Sequence, residues 1–189
     1  MFVDRLFFRL VNSSSANAWF DAFMPWITNG RRNFAVLAGL GALAVILAYR
    51  QGEAARIRRA WRVVIVAAAA AGMGDFLGTH VLRPLIARPR PPLSLEGVRL
   101  LVGLGSHSSF PSSHAVTTMA VMTAFALGYP RGSWAFMAYA ALIGYSRLYV
   151  GVHYPLDVLA GAALGGSLAW LLWRAAETAG STERRETAS

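Results

Sequence analysis

Long apolar segments are the feature that most limits how this 189-residue chain can fold. A helix needs roughly 20 mostly apolar residues to span a bilayer. Four segments come close to that length, and a shorter fifth is flanked by arginines whose long side chains can reach the polar interfaces. In chain order the segments are Phe34–Tyr49, Val63–Leu82, Ser112–Tyr129, Trp134–Val152 and Leu156–Trp173. They predict an all-α integral membrane bundle with five transmembrane helices.

The composition agrees with a membrane protein. Apolar residues make up 56 % of the chain and charged residues 14 %, against roughly 25 % charged in an ordinary soluble domain. The chain has no cysteine, which excludes a disulfide framework, a thiolate zinc site and a thiol nucleophile. All 18 basic residues are arginine, and the formal net charge is +9. Because long apolar runs separate the arginines, we expect an anionic membrane surface or substrate as partner, and not nucleic acid.

The chain divides into three parts. Residues 1–30 carry apolar residues at helical spacing on both sides of a polar break at 12–15, which predicts two short amphipathic helices at the membrane interface. The second of them is alternatively a short sixth membrane element. Residues 31–174 form the predicted transmembrane domain. Residues 175–189 are mostly polar and predict a disordered tail.

The distribution of arginine predicts the orientation. The segment Arg50–Arg62 holds five arginines against one acid, Glu53, so the positive-inside rule places it in the cytoplasm. The helices then alternate, which places the segments Arg83–Pro111 and Gly151–Pro155 on the outer side. The first of these still carries four arginines. Because they oppose the rule, we expect them to serve a function at the outer face.

With this topology, the unusual polar residues fall on the outer side of the membrane. They are Arg83, Arg90, Ser112, Ser113, His114, Ser146, Arg147, His153 and Asp157. Because alternating helices bring their ends together, the topology alone predicts one cluster of these residues. Asp75, inside the second apolar segment, is interpreted as a structural hydrogen-bonding residue, with contact to the substrate as the alternative. Arg88 and Arg99 are interpreted as anchors in the headgroup region.

The clustered side chains fit the chemistry of a phosphate ester. Arginine presents a planar fork of donors that matches phosphate oxygens at any working pH. Ser112 and Ser113 stand at a helix start, where backbone N–H groups and the helix dipole attract anions. His153 and Asp157 are four residues apart, so the carboxylate can reach one imidazole nitrogen and leave the other to attack. His114 remains to transfer a proton near neutral pH.

Three ordered motifs resemble the signature of the type 2 phosphatidic acid phosphatase (PAP2) superfamily. They are Arg83-x6-Arg90-Pro91, Pro111-Ser112-Ser113-His114 and Ser146-Arg147-x5-His153-x3-Asp157. The resemblance covers roughly residues 75–160. The chain departs from the family pattern in two places, where Arg83 replaces a lysine and Ser113 replaces a glycine.

The resemblance implies a lipid phosphatase with a six-helix core that needs no metal or other cofactor. In such an enzyme His153 forms a phosphohistidine, Asp157 orients His153, and His114 protonates the leaving group. The implied phosphate ligands are Arg83, Arg90, Arg147, Ser112 and the backbone N–H of Ser113. The implied partners are a lipid phosphate and the bilayer.

The compact chain is similar to the bacterial family members that recycle undecaprenyl pyrophosphate, so this lipid is the first expected substrate. Phosphatidylglycerophosphate, phosphatidate and lipid A phosphates are alternatives, as is transfer of the phosphoryl group to another lipid at the same site. The expected location is the bacterial inner membrane, with the site facing the periplasm. A distant alternative is a transporter or scaffold without catalysis. A translocation path, however, would spread ionisable residues through the membrane depth.

Overall fold

Helices make up most of the computed structural model, which describes residues 2–186 and side chains as far as Ala179. In chain order they are α1 (Phe2–Arg9), α2 (Ala18–Ile27), α3 (Gly30–Gln51), α4 (Ala54–Phe76), α5 (Arg83–Ile86), α6 (Ser113–Gly128), α7 (Ser133–Tyr149) and α8 (Pro155–Glu186). Wider π-helical turns extend α1 through Leu10–Ser14 and join α4 to α5 through Leu77–Leu82. Between residues 2 and 186 there is no strand, only an isolated bridge between Pro89 and Ser108. The predicted all-α fold is confirmed.

Among the described residues, three helices are long and apolar enough to cross a membrane. They are α3, the continuous rod Ala54–Ile86, and the part Pro155–Ala179 of α8. The helices α6 and α7, with 16 and 17 residues, are shorter than the roughly 20 residues that a span needs. The protein is a multi-pass membrane protein, and the number of five spans stays a prediction.

The helices α3 and α4 form an antiparallel pair joined by a tight turn. The turn uses the left-handed backbone of Gly52, whose φ is +70° and whose N–H donates to the carbonyl of Tyr49 at 3.0 Å. The arginine-rich segment Arg50–Arg62 lies at this turn. The start of α3 and the end of α4 therefore lie together at the opposite end of the bundle.

The central helix is α6, which packs against α4, α7 and α8. Two glycines let α8 approach its backbone closely. A Cβ at Gly161 would come within 2.7 Å of the Ser112 carbonyl oxygen, and a Cβ at Gly165 within 2.1 Å of the Val116 carbonyl oxygen. Small residues permit such contacts between membrane helices. The contact fixes the start of α8 beside the start of α6.

The two predicted N-terminal helices are present as α1 and α2, and both pack on the end of the bundle where α3 begins. Phe8 of α1 lies against the ring of Tyr154, with centroids 5.5 Å apart. Met24 of α2 is buried against Tyr149 and Val150. Both helices therefore cover the end of the bundle that carries the predicted site. Their position at the membrane interface stays a prediction.

The predicted disordered tail is wrong for the part that the structure describes, since α8 continues to Glu186. Side-chain pairs about one turn apart support this extension. The indole Nε1 of Trp173 donates to Glu177 at 2.9 Å, and Arg174 Nη1 lies 3.6 Å from the same carboxylate. Residues 187–189 lie outside the described residues. The predicted boundary at residue 174 therefore falls inside a helix.

Candidate active site

The predicted site residues lie at one end of the bundle, where α3 begins. They stand at helix ends and in the loops between them: Arg83 on α5, Arg90 in the loop after it, Ser112, Ser113 and His114 at the start of α6, Ser146 and Arg147 in the last turn of α7, His153 before α8 and Asp157 in its first turn. The backbone N–H of Ser112 donates to the Asp157 carbonyl at 3.0 Å. Arg83 Nη2 donates to the Ser113 hydroxyl at 2.7 Å. The structure thus brings the three motifs together.

His153 is held in one orientation by the backbone. Its Nδ1 lies 2.7 Å from the carbonyl oxygen of Ser109; because a carbonyl only accepts, Nδ1 carries the proton and Nε2 the lone pair. Nε2 lies 3.4 Å from Nη1 of Arg90. Burial, reinforced by the charges of Arg147 and Arg90 and opposed by Asp157, lowers the pKa of His153 to about 4. The imidazole is therefore neutral near neutral pH, and Nε2 is the nitrogen that can attack.

Asp157 lies beside Nδ1 of His153, as the four-residue spacing predicts, but it does not hydrogen-bond to this nitrogen. Oδ2 of Asp157 lies 3.8 Å from Nδ1 of His153, beyond hydrogen-bond distance. The carboxylate has other donors instead: Oδ2 accepts the backbone N–H of Tyr154 at 2.8 Å, and Oδ1 accepts from Arg88 Nη1 at 2.7 Å. The Ser109 carbonyl therefore sets the orientation of the imidazole, and Asp157 acts on it through charge.

Arg88 belongs to the site, contrary to its interpretation as a membrane anchor. Its guanidinium lies between Asp157 and Asp4 of α1 and donates to both carboxylates. It also stacks on the ring of Tyr154, with Cζ 4.1 Å from the ring centroid. Burial acts to lower the pKa of Arg88, but the two carboxylates outweigh it and the pKa is raised. Arg88 is therefore a firmly charged link between α1 and the start of α8.

The anchor interpretation is wrong for Arg99 as well. Its Nη2 donates to both carboxylate oxygens of Asp21 on α2 at 2.6 Å. Its backbone carbonyl accepts from Asn12 at 2.9 Å. Asp21 also accepts from the hydroxyl of Tyr149 at 2.6 Å. Arg99 thus fastens the second N-terminal helix to the same end of the bundle.

Arg90 is 5 % exposed and is oriented by backbone carbonyls. Its Nε donates to Ser106 at 2.5 Å, and its Nη1 donates to Val152 at 2.9 Å. Burial, together with the nearby positive charge of Arg83, lowers the pKa of Arg90 to about 10, so it stays charged near neutral pH. Nη1 of Arg90 also faces Nε2 of His153. Arg90 can therefore bind a phosphate oxygen while the phosphorus atom lies next to Nε2 of His153.

Unpaired polar atoms concentrate at the site. In the described part of the chain, five buried side-chain polar atoms have no hydrogen-bond partner, and four belong to predicted site residues: Arg83 Nε, Ser112 Oγ, His114 Nε2 and Arg147 Nε. The fifth is the hydroxyl of Ser108. A buried polar group is normally paired because leaving it unpaired costs roughly 1–3 kcal/mol. This set of atoms matches an anion with several oxygens, such as phosphate.

A groove of about 900 Å³ leads away from the site between α3, α4 and α6. Gly30, Asp75, Ser113 and His114 line its site end, and most of the remaining lining is apolar. Phe34 of the lining is 73 % exposed, so the groove opens on the side of the bundle. An apolar groove that ends at an anion site suits a lipid with a phosphorylated head.

Asp75 faces this groove at the level of the site. A Cβ on the preceding residue, Gly74, would lie 2.6 Å from Val116 of α6, so α4 touches the first turn of α6 there. Asp75 has no hydrogen bond or ion pair with any described residue. Its interpretation as a structural hydrogen-bonding residue is therefore wrong.

Several residues of the site were missed by sequence reasoning. Thr28 accepts from Nη1 of Arg147 at 2.7 Å and so holds the buried arginine of the third motif. The serine-rich stretch before Ser112 was the available signal for Ser109. No local signal pointed to Thr28 or Asp4. Ser146 belongs to the motif, but its hydroxyl donates a hydrogen bond to the carbonyl of Ile143 in its own helix, at 2.6 Å.

The fold and the site define a helical membrane protein with an arginine-rich anion site beside a buried, neutral histidine. The family model described as "PAP2 superfamily" matches residues 59–181, more than half of the chain. The chain therefore belongs to the PAP2 superfamily.

Known proteins similar to this chain include several phosphatases. A "Lipid A 1-phosphatase" of Rhizobium etli is 41 % identical over 46 % of this chain, which spans 39 % of that protein's length. "Undecaprenyl-diphosphatase BcrC" of Bacillus subtilis is 25 % identical over 85 % of this chain and 77 % of its own length. The crystal structure of Aquifex aeolicus LpxE matches with a TM-score of 0.63 and 25 % identity, over 91 % of this chain and 95 % of that one. The chain thus spans about two fifths of the length of the Rhizobium relative.

Proposed function

We propose that this protein hydrolyses a lipid-linked phosphate or pyrophosphate through a phosphohistidine at His153. The observation that carries the proposal is the set of unpaired buried atoms on Arg83, Ser112, His114 and Arg147 at the end of the bundle that holds His153. Preorganised donors of this kind stabilise the charge that develops on a transferring phosphoryl group. The chain's membership of the PAP2 superfamily supports the same reaction class.

The first step is attack by His153. Nε2 uses its lone pair to form a bond with phosphorus, and the bond between phosphorus and the lipid oxygen breaks. That oxygen keeps the electron pair and takes a proton from His114. Arg90 and Arg147 hold the phosphoryl oxygens throughout.

The second step regenerates the enzyme. Water gives a proton to His114 and attacks phosphorus, the P–N bond breaks, and its electron pair returns to Nε2. Phosphate leaves and His114 is protonated again. If the hydroxyl of another lipid replaces water, the same site performs phosphoryl transfer.

The apolar groove supports a lipid substrate, because it offers a hydrocarbon chain a path that ends at Ser113 and His114. Undecaprenyl pyrophosphate is the first candidate, since the Bacillus relative named as its phosphatase is similar over most of this chain. Lipid A phosphates, phosphatidylglycerophosphate and phosphatidate are further candidates for the same site. A transporter is disfavoured because the ionisable residues stand at the two ends of the bundle and are not spread through the membrane depth, with Asp75 next to the site.

The test of the activity is phosphate release by the purified protein from a panel of these lipids in detergent. We expect release from at least one lipid and equal release in excess EDTA, because arginines supply the positive charge. Loss of all release in EDTA, restored by magnesium, would contradict the metal-free reaction. A protein that releases phosphate from none of the lipids, under conditions where it remains folded, would contradict the proposed function.

The proposed location is the bacterial inner membrane with the site facing the periplasm. This orientation is supported by the arginine-rich segment Arg50–Arg62, which lies at the opposite end of the bundle from the site. The chain has no native cysteine, so single cysteines at Glu96 and Glu53 can be labelled with an impermeant reagent in intact cells. We expect labelling at position 96 and none at 53. The reverse pattern would invert the orientation.

A further inference from the structure

The helix α1 brings a buried acid to the site. Asp4 is 5 % exposed and lies outside the stretch 59–181 that matches the family. Its Oδ1 accepts the backbone N–H of Leu156 at 2.9 Å, and its Oδ2 accepts from Nη2 of Arg88. Nη1 of Arg88 donates to Oδ1 of Asp157 at 2.7 Å. One guanidinium is thus shared between two carboxylates from opposite ends of the chain.

Sharing Arg88 changes the charge beside His153. Arg88 and Asp157 alone would form a neutral pair. With Asp4 added, two carboxylates and one guanidinium leave one net negative charge. This charge lies on the Nδ1 side of His153, where Asp157 Oδ2 is 3.8 Å from Nδ1. The opposite side of the ring, at Nε2, faces Arg90.

The reaction requires a negative charge at this place. When Nε2 bonds to phosphorus, Nδ1 keeps its proton and the imidazole ring becomes cationic. His153 is only 2 % exposed, so water cannot solvate the new charge, and a buried charge is costly unless a partner compensates it. A neutral Arg88–Asp157 pair would offer little compensation.

We propose that Asp4 is a positioning residue of the phosphatase site: by sharing Arg88 it leaves Asp157 with the negative charge that phosphorylated His153 needs. The proposal rests on the proposed function. It differs from a purely structural role, in which Asp4 only fastens α1 and accepts from the N-terminus of α8. The pair Asp21–Arg99 fastens α2 in a similar way without touching Asp157, and so provides a matched control.

The test compares four variants with the wild type: Asp4→Asn, Arg88→Gln, the double variant that combines them, and Asp21→Asn. The double variant restores one net negative charge through Asp157 alone. We expect Asp4→Asn, which leaves a neutral Arg88–Asp157 pair, to lower kcat about 10–100-fold, in line with the effect of a nearby charge on a buried group. Arg88→Gln leaves the negative charge on Asp157 and should therefore lose less activity than Asp4→Asn. We expect the double variant to recover to within about tenfold of wild type, since its net charge at the cluster is restored. Asp21→Asn keeps its kcat.

Melting temperature and rapid-quench formation of the phosphoenzyme separate the two roles. Under the proposal, Asp4→Asn slows phosphoenzyme formation with little change in KM, and the double variant regains that rate without regaining melting temperature. Under a purely structural role, the double variant is as slow as the slower single variant, or slower, which would overturn the proposal. If Asp4→Asn does not fold, the double variant decides: it must keep kcat within about tenfold of the wild type, and a larger loss overturns the proposal.

The wild type separates a failure of this proposal from a failure of the proposed function. A wild type that forms no phosphoenzyme contradicts the reaction itself and removes the basis for a role of Asp4. If the wild type forms the phosphoenzyme and Asp4→Asn forms it at the same rate, only the role of Asp4 is contradicted.

Discussion

Both ends of the bundle are rich in arginine, but the arginines behave differently. At the site end, Arg90 and Arg147 are 5 % and 7 % exposed and donate to named acceptors inside the protein. At the opposite end, Arg58 and Arg59 are exposed, and Arg56 pairs only with groups that are themselves exposed. Exposed ion pairs contribute little to stability. The number of arginines therefore does not reveal a binding site, whereas burial with unused donors does.

The two ends of the bundle differ in function only if the site end carries out the reaction. Removing the nucleophile at that end should give the largest effect. His153→Ala should abolish turnover and any covalent phosphoenzyme, a loss of more than about 10³-fold. The measurement is rapid quench with radiolabelled substrate at alkaline pH, where phosphohistidine survives. A phosphoenzyme in His153→Ala, with none in His114→Ala on any substrate, would show that the two histidine roles are reversed.

The loss of activity caused by His114→Ala should depend on the leaving group. A lipid alkoxide needs protonation to leave, so the loss on a monophosphate ester should be about 10²–10⁴-fold. A phosphate leaving from a pyrophosphate needs it less, and the loss there should be clearly smaller. The measurement is kcat with one lipid of each kind. Equal losses on both would mean that His114 does not act as the acid.

Arg147→Lys tests whether a buried arginine is more than a charge. Arg147 donates to Thr28 through Nη1 and keeps a buried, unpaired Nε. The single ammonium group of a lysine cannot donate both to Thr28 and at the position of Nε. We expect kcat/KM to fall about 10²–10³-fold, as for loss of one donor to a transition-state charge. Arg131→Lys, at the exposed opposite end, is the matched control. Equal activity of the two variants would remove the distinction between the ends.

The smallest effect should come from the opposite end itself. Arg58→Gln combined with Arg59→Gln should leave kcat in detergent within about twofold of wild type, because exposed charges are screened by solvent and salt. The same change should weaken the preferred orientation in the membrane, measured by labelling a cysteine at Glu96 in cells. A large loss of kcat with intact folding would connect this end to the reaction.

The site was predictable to the extent that its spacing is local. Ser112, Ser113 and His114 share one helix start, and His153 and Asp157 are four residues apart, so both groups could be read from the chain and brought together by helix alternation. The partners of the arginines could not be read in this way. Asp4 and Arg88 are 84 residues apart, and Thr28 and Arg147 are 119 apart. Only the packing of α1 and α2 on the bundle decides such pairs.

That the Ser109 carbonyl, and not Asp157, accepts the hydrogen bond from Nδ1 of His153 could not be predicted for another reason. The spacing allows the carboxylate to reach the imidazole, but Arg88 and the backbone N–H of Tyr154 occupy its two oxygens. A competition among donors for one acceptor is decided by three-dimensional positions. The disordered tail failed differently, because polar composition does not exclude a helix that continues from a long apolar one.

The sideways opening of the groove has a kinetic consequence. A substrate that enters through this side opening travels within the bilayer plane and never passes through bulk water. Its encounter rate then follows its mole fraction among the surrounding lipids and not its molar concentration in the sample. Diluting the substrate with inert detergent at a fixed total amount should therefore slow the enzyme, whereas diluting the whole mixture with buffer should leave the turnover of each molecule unchanged.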